Sequence, residues 1–169
     1  MTTTTEYRPR DVQLARVANQ YGANYALRIV LECRRAELPV SLGFALIEQE
    51  SNFTNVFGHD PTIMAGAGPV TQTKYTLYKT RRQAGGNRMM QGVGPGQLTW
   101  WETQDLADQF GGCWRPECNI RVAVQTLAAR IHDFGYVKGI ARYNGSGPAA
   151  EAYSLSVRGR AQKWHARLS

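Results

Sequence analysis

Residues 39–50, PVSLGFALIEQE, are apolar on more than one face when wound as a helix at ~100° per residue. A helix of that kind has no solvent side, so it must lie at the centre with the rest of the chain wrapped around it. Pro39 opens it at the one position where a missing N–H costs nothing. The chain has 169 residues, about one domain's worth of material and enough for a single sizeable core. The central helix then ends on two carboxylates, Glu48 and Glu50, which an apolar interior does not welcome.

Around it the signals are again helical. Residues 11–21 place Val12, Leu14, Ala15, Val17 and Ala18 mainly along one side, and in 23–36 Ala26, Ile29, Val30 and Cys33 recur at spacings of three and four. Residues 54–72 are Gly- and Pro-rich and predict a loop or small β region, followed by a short basic helix over 73–82 and a second loop over 84–96. Thr99 and Glu102 have the spacing of a capping box, opening a helix that Gly111 and Gly112 stop. Asn119 is positioned to cap the next helix, whose stripe of Ile120, Val124, Leu127 and Ile131 runs towards Gly135, and a last helix begins at Pro148. Neither a repeat nor a domain boundary interrupts this pattern. The expectation is a mainly α protein: a flexible head or linker remnant over 1–10, then one helical domain over 11–169 with a loop-rich or small β insertion.

The net charge is +7, from 20 Lys and Arg against 13 Asp and Glu, which favours an anionic partner: nucleic acid, acidic membrane or acidic cell wall. The basic residues are spread from end to end without a nucleic-acid motif, so nucleic acid is not the expected partner. No stretch approaches the ~20 apolar residues that span a bilayer, and MTTTTEYRPR has no apolar core of a secretory signal. A zinc site needs four ligands with a second close pair, and His59, His132 and His165 are scattered; no metal or cofactor is expected. Cys113 and Cys118 enclose a short loop and are candidates to pair, while Cys33 reads as a core thiol.

Glu48 and Glu50 point ~200° apart on the helix and cannot share a face. Both lie in its last turn, where the helix dipole disfavours an anion, and burial acts in the same direction. An acid so placed can hold its proton near neutrality, the state a general acid needs. A helix-end glutamate that merely bonds a neighbouring arginine is the alternative, and geometry alone leaves the two open. Trp100 and Trp101 are open in the same way, between stacking on a ligand and packing in the core. So are Tyr75 and Tyr78 with Lys79, Arg81 and Arg82, between lining a groove and forming a solvated basic face.

Glu50-Ser51-Asn52-Phe53, at the end of an apolar helix, resembles the E-S-x-F signature of lysozyme-like lytic transglycosylases and goose-type lysozymes. Gly94-Pro95-Gly96-Gln97-Leu98 is similar to that superfamily's G-L-M-Q segment, and Ala141 to Gly147, ARYNGSG, to its A-Y-N-x-G segment. The three occur in family order and span residues 40–147; the surrounding sequence most resembles the peptidoglycan-cleaving domains of endolysins from phages of actinobacteria.

The resemblance implies an α+β lysozyme-like fold and cleavage of the bond between N-acetylmuramic acid and N-acetylglucosamine. It implies a monomer acting on bacterial peptidoglycan, made in a host cytoplasm without its own signal peptide and released to the wall at lysis. Carried over residue by residue, Glu50 is the acid that protonates the glycosidic oxygen, and Ser51 helps to hold substrate. Gln97 contacts the sugar from the glycine loop, and Tyr143 and Asn144 position the acetamido group and ring, both from a loop. Glu48 has no counterpart and becomes a structural or rim residue. Pro95-Gly96 replaces the family's Leu-Met, and Arg142 is an addition offered as a partner for a peptide carboxylate. Asp60 is the sole acid between Glu50 and Glu102, and so the candidate second carboxylate should the enzyme be an inverting muramidase rather than a transglycosylase. A non-catalytic wall-binding module is the remaining alternative.

Overall fold

The computed structural model describes residues 7–59, 66–88 and 90–169. Among these the chain forms α1 (Pro9–Gln20), α2 (Ala26–Arg35), α3 (Val40–Ser51), α4 (Gln72–Ala84), α5 (Trp101–Gln109), α6 (Pro116–Phe134), α7 (Tyr136–Asn144) and α8 (Pro148–Leu168). The protein is mainly α, and among the described residues the expected β insertion shows isolated antiparallel bridges, Val56 with Pro69, Phe57 with Val93 and Val93 with Leu98. None of the helices is long and apolar enough to cross a membrane.

The apolar run at 39–50 is the central helix. Leu42, Phe44, Ala45, Leu46 and Ile47 of α3 are buried, and α8 covers the helix along its length, bringing the indole of Trp164 onto Phe44 with ring centroids 4.8 Å apart. On the other side α2 comes so near that a Cβ at Gly43 would overlap Cys33 Sγ. Glycine is required there by close approach, not by backbone conformation.

Several predicted details are corrected. The segment around Arg142 is a helix, α7, where a loop was expected: Gly139 sits inside it because a Cβ there would lie 2.5 Å from the Arg130 carbonyl of α6. That glycine lets one helix fold back against the backbone of another. The helix α6 starts three residues before Asn119, with Pro116 in its first turn and Arg115 as N-cap, so Asn119 caps nothing. The capping box does not form either: Trp100 is the N-cap of α5 without a side-chain bond, and the Thr99 hydroxyl donates to the Gln97 carbonyl instead. The helix α1 begins at Pro9, within the last two residues of the expected head, and residues 1–6 lie outside the described residues.

The predicted basic helix α4 is divided: Lys74 and Arg81 are exposed, Tyr75 and Lys79 line a groove of about 330 Å³ apart from Glu50, and a third face is core. Tyr75, Tyr78 and Arg82 are buried, the Arg82 guanidinium donating to Asp105 at 2.6 Å, to Gln104 at 2.9 Å and to the Trp101 carbonyl at 3.1 Å. A buried cation persists when paired and hydrogen-bonded, and here it ties α4 to the start of α5. Cys33, Cys113 and Cys118 are free buried thiols.

Candidate active site

The site is built where α3 stops. Asn52 and Phe53, the two residues after it, both take the left-handed conformation, at φ 50° and 60°. A bulky side chain there is strained, at a cost of roughly 1–3 kcal/mol. Burial of the Phe53 ring against Phe44 and Trp164 holds it in place. This abrupt reversal leaves Glu50 at the end of a fixed rod.

One face of α8 then fixes the last turn of α3, side chain by side chain. Tyr153 donates its hydroxyl to Glu50 Oε1; Ser156 and Arg160 donate to Gln49 Oε1 at 2.7 and 2.9 Å; Arg160 pairs with Glu48 at 3.0 Å, and Trp164 donates to Glu48 at 3.2 Å. The spacing 153, 156, 160, 164 is one helical face, and it meets residues 50, 49 and 48 in descending order because the two helices run antiparallel. Glu48 is thus the arginine-bonded structural acid, and Glu50 is held by a neutral donor alone.

The glycine loop forms the opposite side. Asn119 braces it, accepting from Gly96 N at 2.8 Å and donating to the Val93 carbonyl at 2.7 Å. Gly94 is left-handed at φ 76°, and a Cβ on Gly96 would overlap Ala123 Cβ of α6. Two latches close the loop onto the site: Ser51 Oγ donates to the Pro95 carbonyl at 2.8 Å, and Tyr143 Oη donates to the Gly96 carbonyl at 2.7 Å. Gln97, left-handed at φ 47°, spends its amide N–H groups on the Val56 and Gly94 carbonyls. Its Oε1 rests between Gly58 and Gly92, where an added Cβ would come within 2.6 and 2.5 Å.

Glu50 lies in a groove with two confluent halves. One, of about 230 Å³, is lined by Glu50, Gln97, Trp100, Thr126, Tyr143 and Asn144 among others. The other, of about 290 Å³, runs past Glu50 to Gly58, His59, Gln91 and Gly92. Met90, Gln97 and Thr99 belong to both, so a chain lying in the groove passes over Glu50. Among the described residues Glu50 is the sole carboxylate lining either half; Asp60 lies outside them.

Burial pushes the Glu50 carboxyl up to about 7, against the Tyr153 hydrogen bond, which favours the ionised form. Its place in the last turn of α3 adds the negative helix end in the same direction as burial. The Tyr143 hydroxyl is held well above its ordinary value by burial and then by the Glu50 charge, and that of Tyr153 is raised by the same two causes, so both remain donors. The arrangement can hold a proton near neutrality, hand it to an oxygen in the groove, and take one back.

Of the site residues named from sequence, Glu50, Gln97, Tyr143 and Asn144 converge on one groove. Ser51 does not line it: its hydroxyl is spent on the glycine loop, and its part is to brace rather than to hold a ligand. Arg142 is also displaced from its expected part, stacking its guanidinium over Phe134 at 5.4 Å. Tyr153, Met90 and Thr126 were missed. Tyr153 sits in a stripe with Val157 and Trp164 that reads as core, and the other two carry no spacing signal at all.

The chain matches no family model, and no curated protein or solved structure is significantly similar to it.

Proposed function

We propose that this protein cleaves peptidoglycan glycan strands at the β-1,4 bond between N-acetylmuramic acid and N-acetylglucosamine, by a lytic-transglycosylase-like route with Glu50 as sole acid and base. The observation that carries the reading is the Glu50 carboxyl: half-buried at a helix end, raised to about 7, and opening into both halves of a groove. Its protonated carboxyl gives a proton to the glycosidic oxygen, and the C1–O bond breaks, leaving positive charge on C1 of the muramic ring. The resulting carboxylate takes the proton of that ring's own 6-hydroxyl, and O6 bonds to C1. The muramic end leaves as a 1,6-anhydro sugar, lighter by one water than a hydrolysis product, and Glu50 is again protonated. This route asks for one carboxylate, whereas an inverting hydrolase asks for a second about 6.5–9.5 Å away. The three sequence segments that resemble lytic transglycosylases support it, as does the convergence of Gln97, Tyr143 and Asn144 on the same groove. The role that fits is host-wall lysis late in a phage cycle, after release to the wall.

Clearing of a suspension of purified bacterial walls tests the assignment. Glu50→Gln lowers the rate on the order of 10²–10⁴-fold with wall binding intact, as loss of a general acid does. Glu48→Gln keeps most of the activity, since Glu48 bonds Arg160 and Trp164 and lines neither half of the groove. The reverse pattern in the two variants sinks the assignment.

A further inference from the structure

Trp100 is 62% exposed, the most exposed tryptophan or phenylalanine among the large hydrophobic side chains on the surface, and it lies on the wall of the groove that holds Glu50. Its backbone is rigid. The Trp100 carbonyl accepts from Thr103 N and Gln104 N, each at 3.1 Å, and from Thr103 Oγ1 at 2.7 Å; Gln104 itself is fully buried and bonded to the Leu98 carbonyl at 2.7 Å. An indole left in water on so fixed a stem is a preorganised flat surface, and tryptophan is otherwise among the side chains buried most on average.

We propose that Trp100 is the stacking platform of a subsite for one uncharged pyranose ring, so that the bound strand runs from Glu50 towards the start of α5; this rests on the glycan-cleaving reading above. The apolar C–H face of an N-acetylated sugar lies on the indole. The polar groups around it are amides and hydroxyls: Gln97, Thr99 and Thr103 give their hydrogens to backbone carbonyls, and the Thr126 hydroxyl and Asn144 amide are left to pair with ring hydroxyls and the acetamido group. They offer no charge to a stem-peptide carboxylate. The size agrees: about 230 Å³ is less than the ~300–1,000 Å³ of sites that enclose drug-sized ligands, and suits a single ring. Sequence left Trp100 and Trp101 open between core and ligand, and the groove assigns Trp100 to the ligand.

The test uses the Glu50→Gln protein, which binds without turnover, titrated with chitotetraose while tryptophan emission is followed. The chain has four tryptophans; Trp164 is fully buried, and Trp101 and Trp114 are half-buried and off the groove, so the exposed Trp100 dominates any change on stacking. Saturable quenching with a blue shift is expected. In Trp100→Ala it disappears and the dissociation constant rises about tenfold, the loss of one aromatic contact of ordinary strength. Trp100→Phe recovers most of the affinity, and both variants keep the parent unfolding temperature because the side chain is exposed. A free stem peptide gives no shift. Unchanged affinity in Trp100→Ala, or a Trp100-dependent shift with the peptide, overturns the subsite. Wall cleavage by the otherwise wild-type chain is read separately: if Glu50→Gln clears walls as fast as the parent, the reaction is wrong whatever Trp100 binds. If only the parent clears walls and chitotetraose binding ignores Trp100, the subsite alone is wrong.

Discussion

Glu50 keeps its proton at a thermodynamic cost that can be measured. Its carboxyl moves from an ordinary 4.5 to about 7 on folding, so the folded state disfavours the anion. Below 4.5 the acid is neutral in both states and costs nothing. Between 4.5 and about 7 the unfolded chain ionises while the fold keeps its proton, and the fold loses stability, in total on the order of 3 kcal/mol, with the loss complete above about 7. Glu50→Gln removes the titration and keeps an acceptor for the Tyr153 hydroxyl. The unfolding temperature should therefore rise by roughly 6–12 °C at pH 8.5, at ~2–4 °C per kcal/mol for a chain of this size, and by much less at pH 4. An equal gain at both values would mean that Glu50 is not a raised acid. This residue was legible in advance because an anion at the end of an apolar helix is a conflict that sequence displays. Ser51 and Gln97 were legible as members of the site but not in their parts, since which atoms a hydroxyl or amide spends on backbone carbonyls depends on loops that meet only in the fold. Tyr153 was not legible, because a tyrosine in an apolar helical stripe looks the same whether its hydroxyl meets water or a carboxylate.

At the level of elements, the groove depends on how closely the glycine loop lies against α6. Gly96→Ala would force its Cβ onto Ala123 and disturb both latches, Ser51 to Pro95 and Tyr143 to Gly96. Overpacking of this kind costs about 1–3 kcal/mol. The variant should unfold at lower temperature and lose wall-clearing activity, and adding Ala123→Gly should restore activity by making room. Stability recovers only partly, because a glycine inside α6 costs about 1 kcal/mol. Activity that stays lost in the double variant would show that Gly96 serves something other than close approach. The same packing explains why α7 was missed. Gly135 reads as a helix end and Ala141 to Gly147 as a loop, yet Gly139 between them is a helical glycine demanded by the neighbouring Arg130 backbone, a contact between helices that local sequence does not encode. The helices α1, α2, α3 and α8 were legible because their stripes bury against one core; the start of α6 was misplaced because Asn119 spends its side chain on the glycine loop instead of its own helix end.

For the molecule as a whole, a charge of +7 is separate from the groove, whose described lining carries neither Lys nor Arg. On the proposed function, the positive charge serves approach to an anionic wall, and the groove serves the glycan. Adsorption to intact walls should weaken as salt shortens the reach of exposed charge, to ~8 Å at physiological ionic strength. Binding of neutral chitotetraose to the Glu50→Gln protein should hardly change over the same range; equal salt dependence would remove the separation. The central claim is a single-acid cleavage of glycan without water, and mass spectrometry of a digest of purified walls tests it most directly. Fragments ending in 1,6-anhydro-muramic acid should accumulate with the wild-type protein and be absent with Glu50→Gln. Hydrated reducing ends as the only product would contradict the route, and no new glycan ends at all with the wild-type protein would contradict the function.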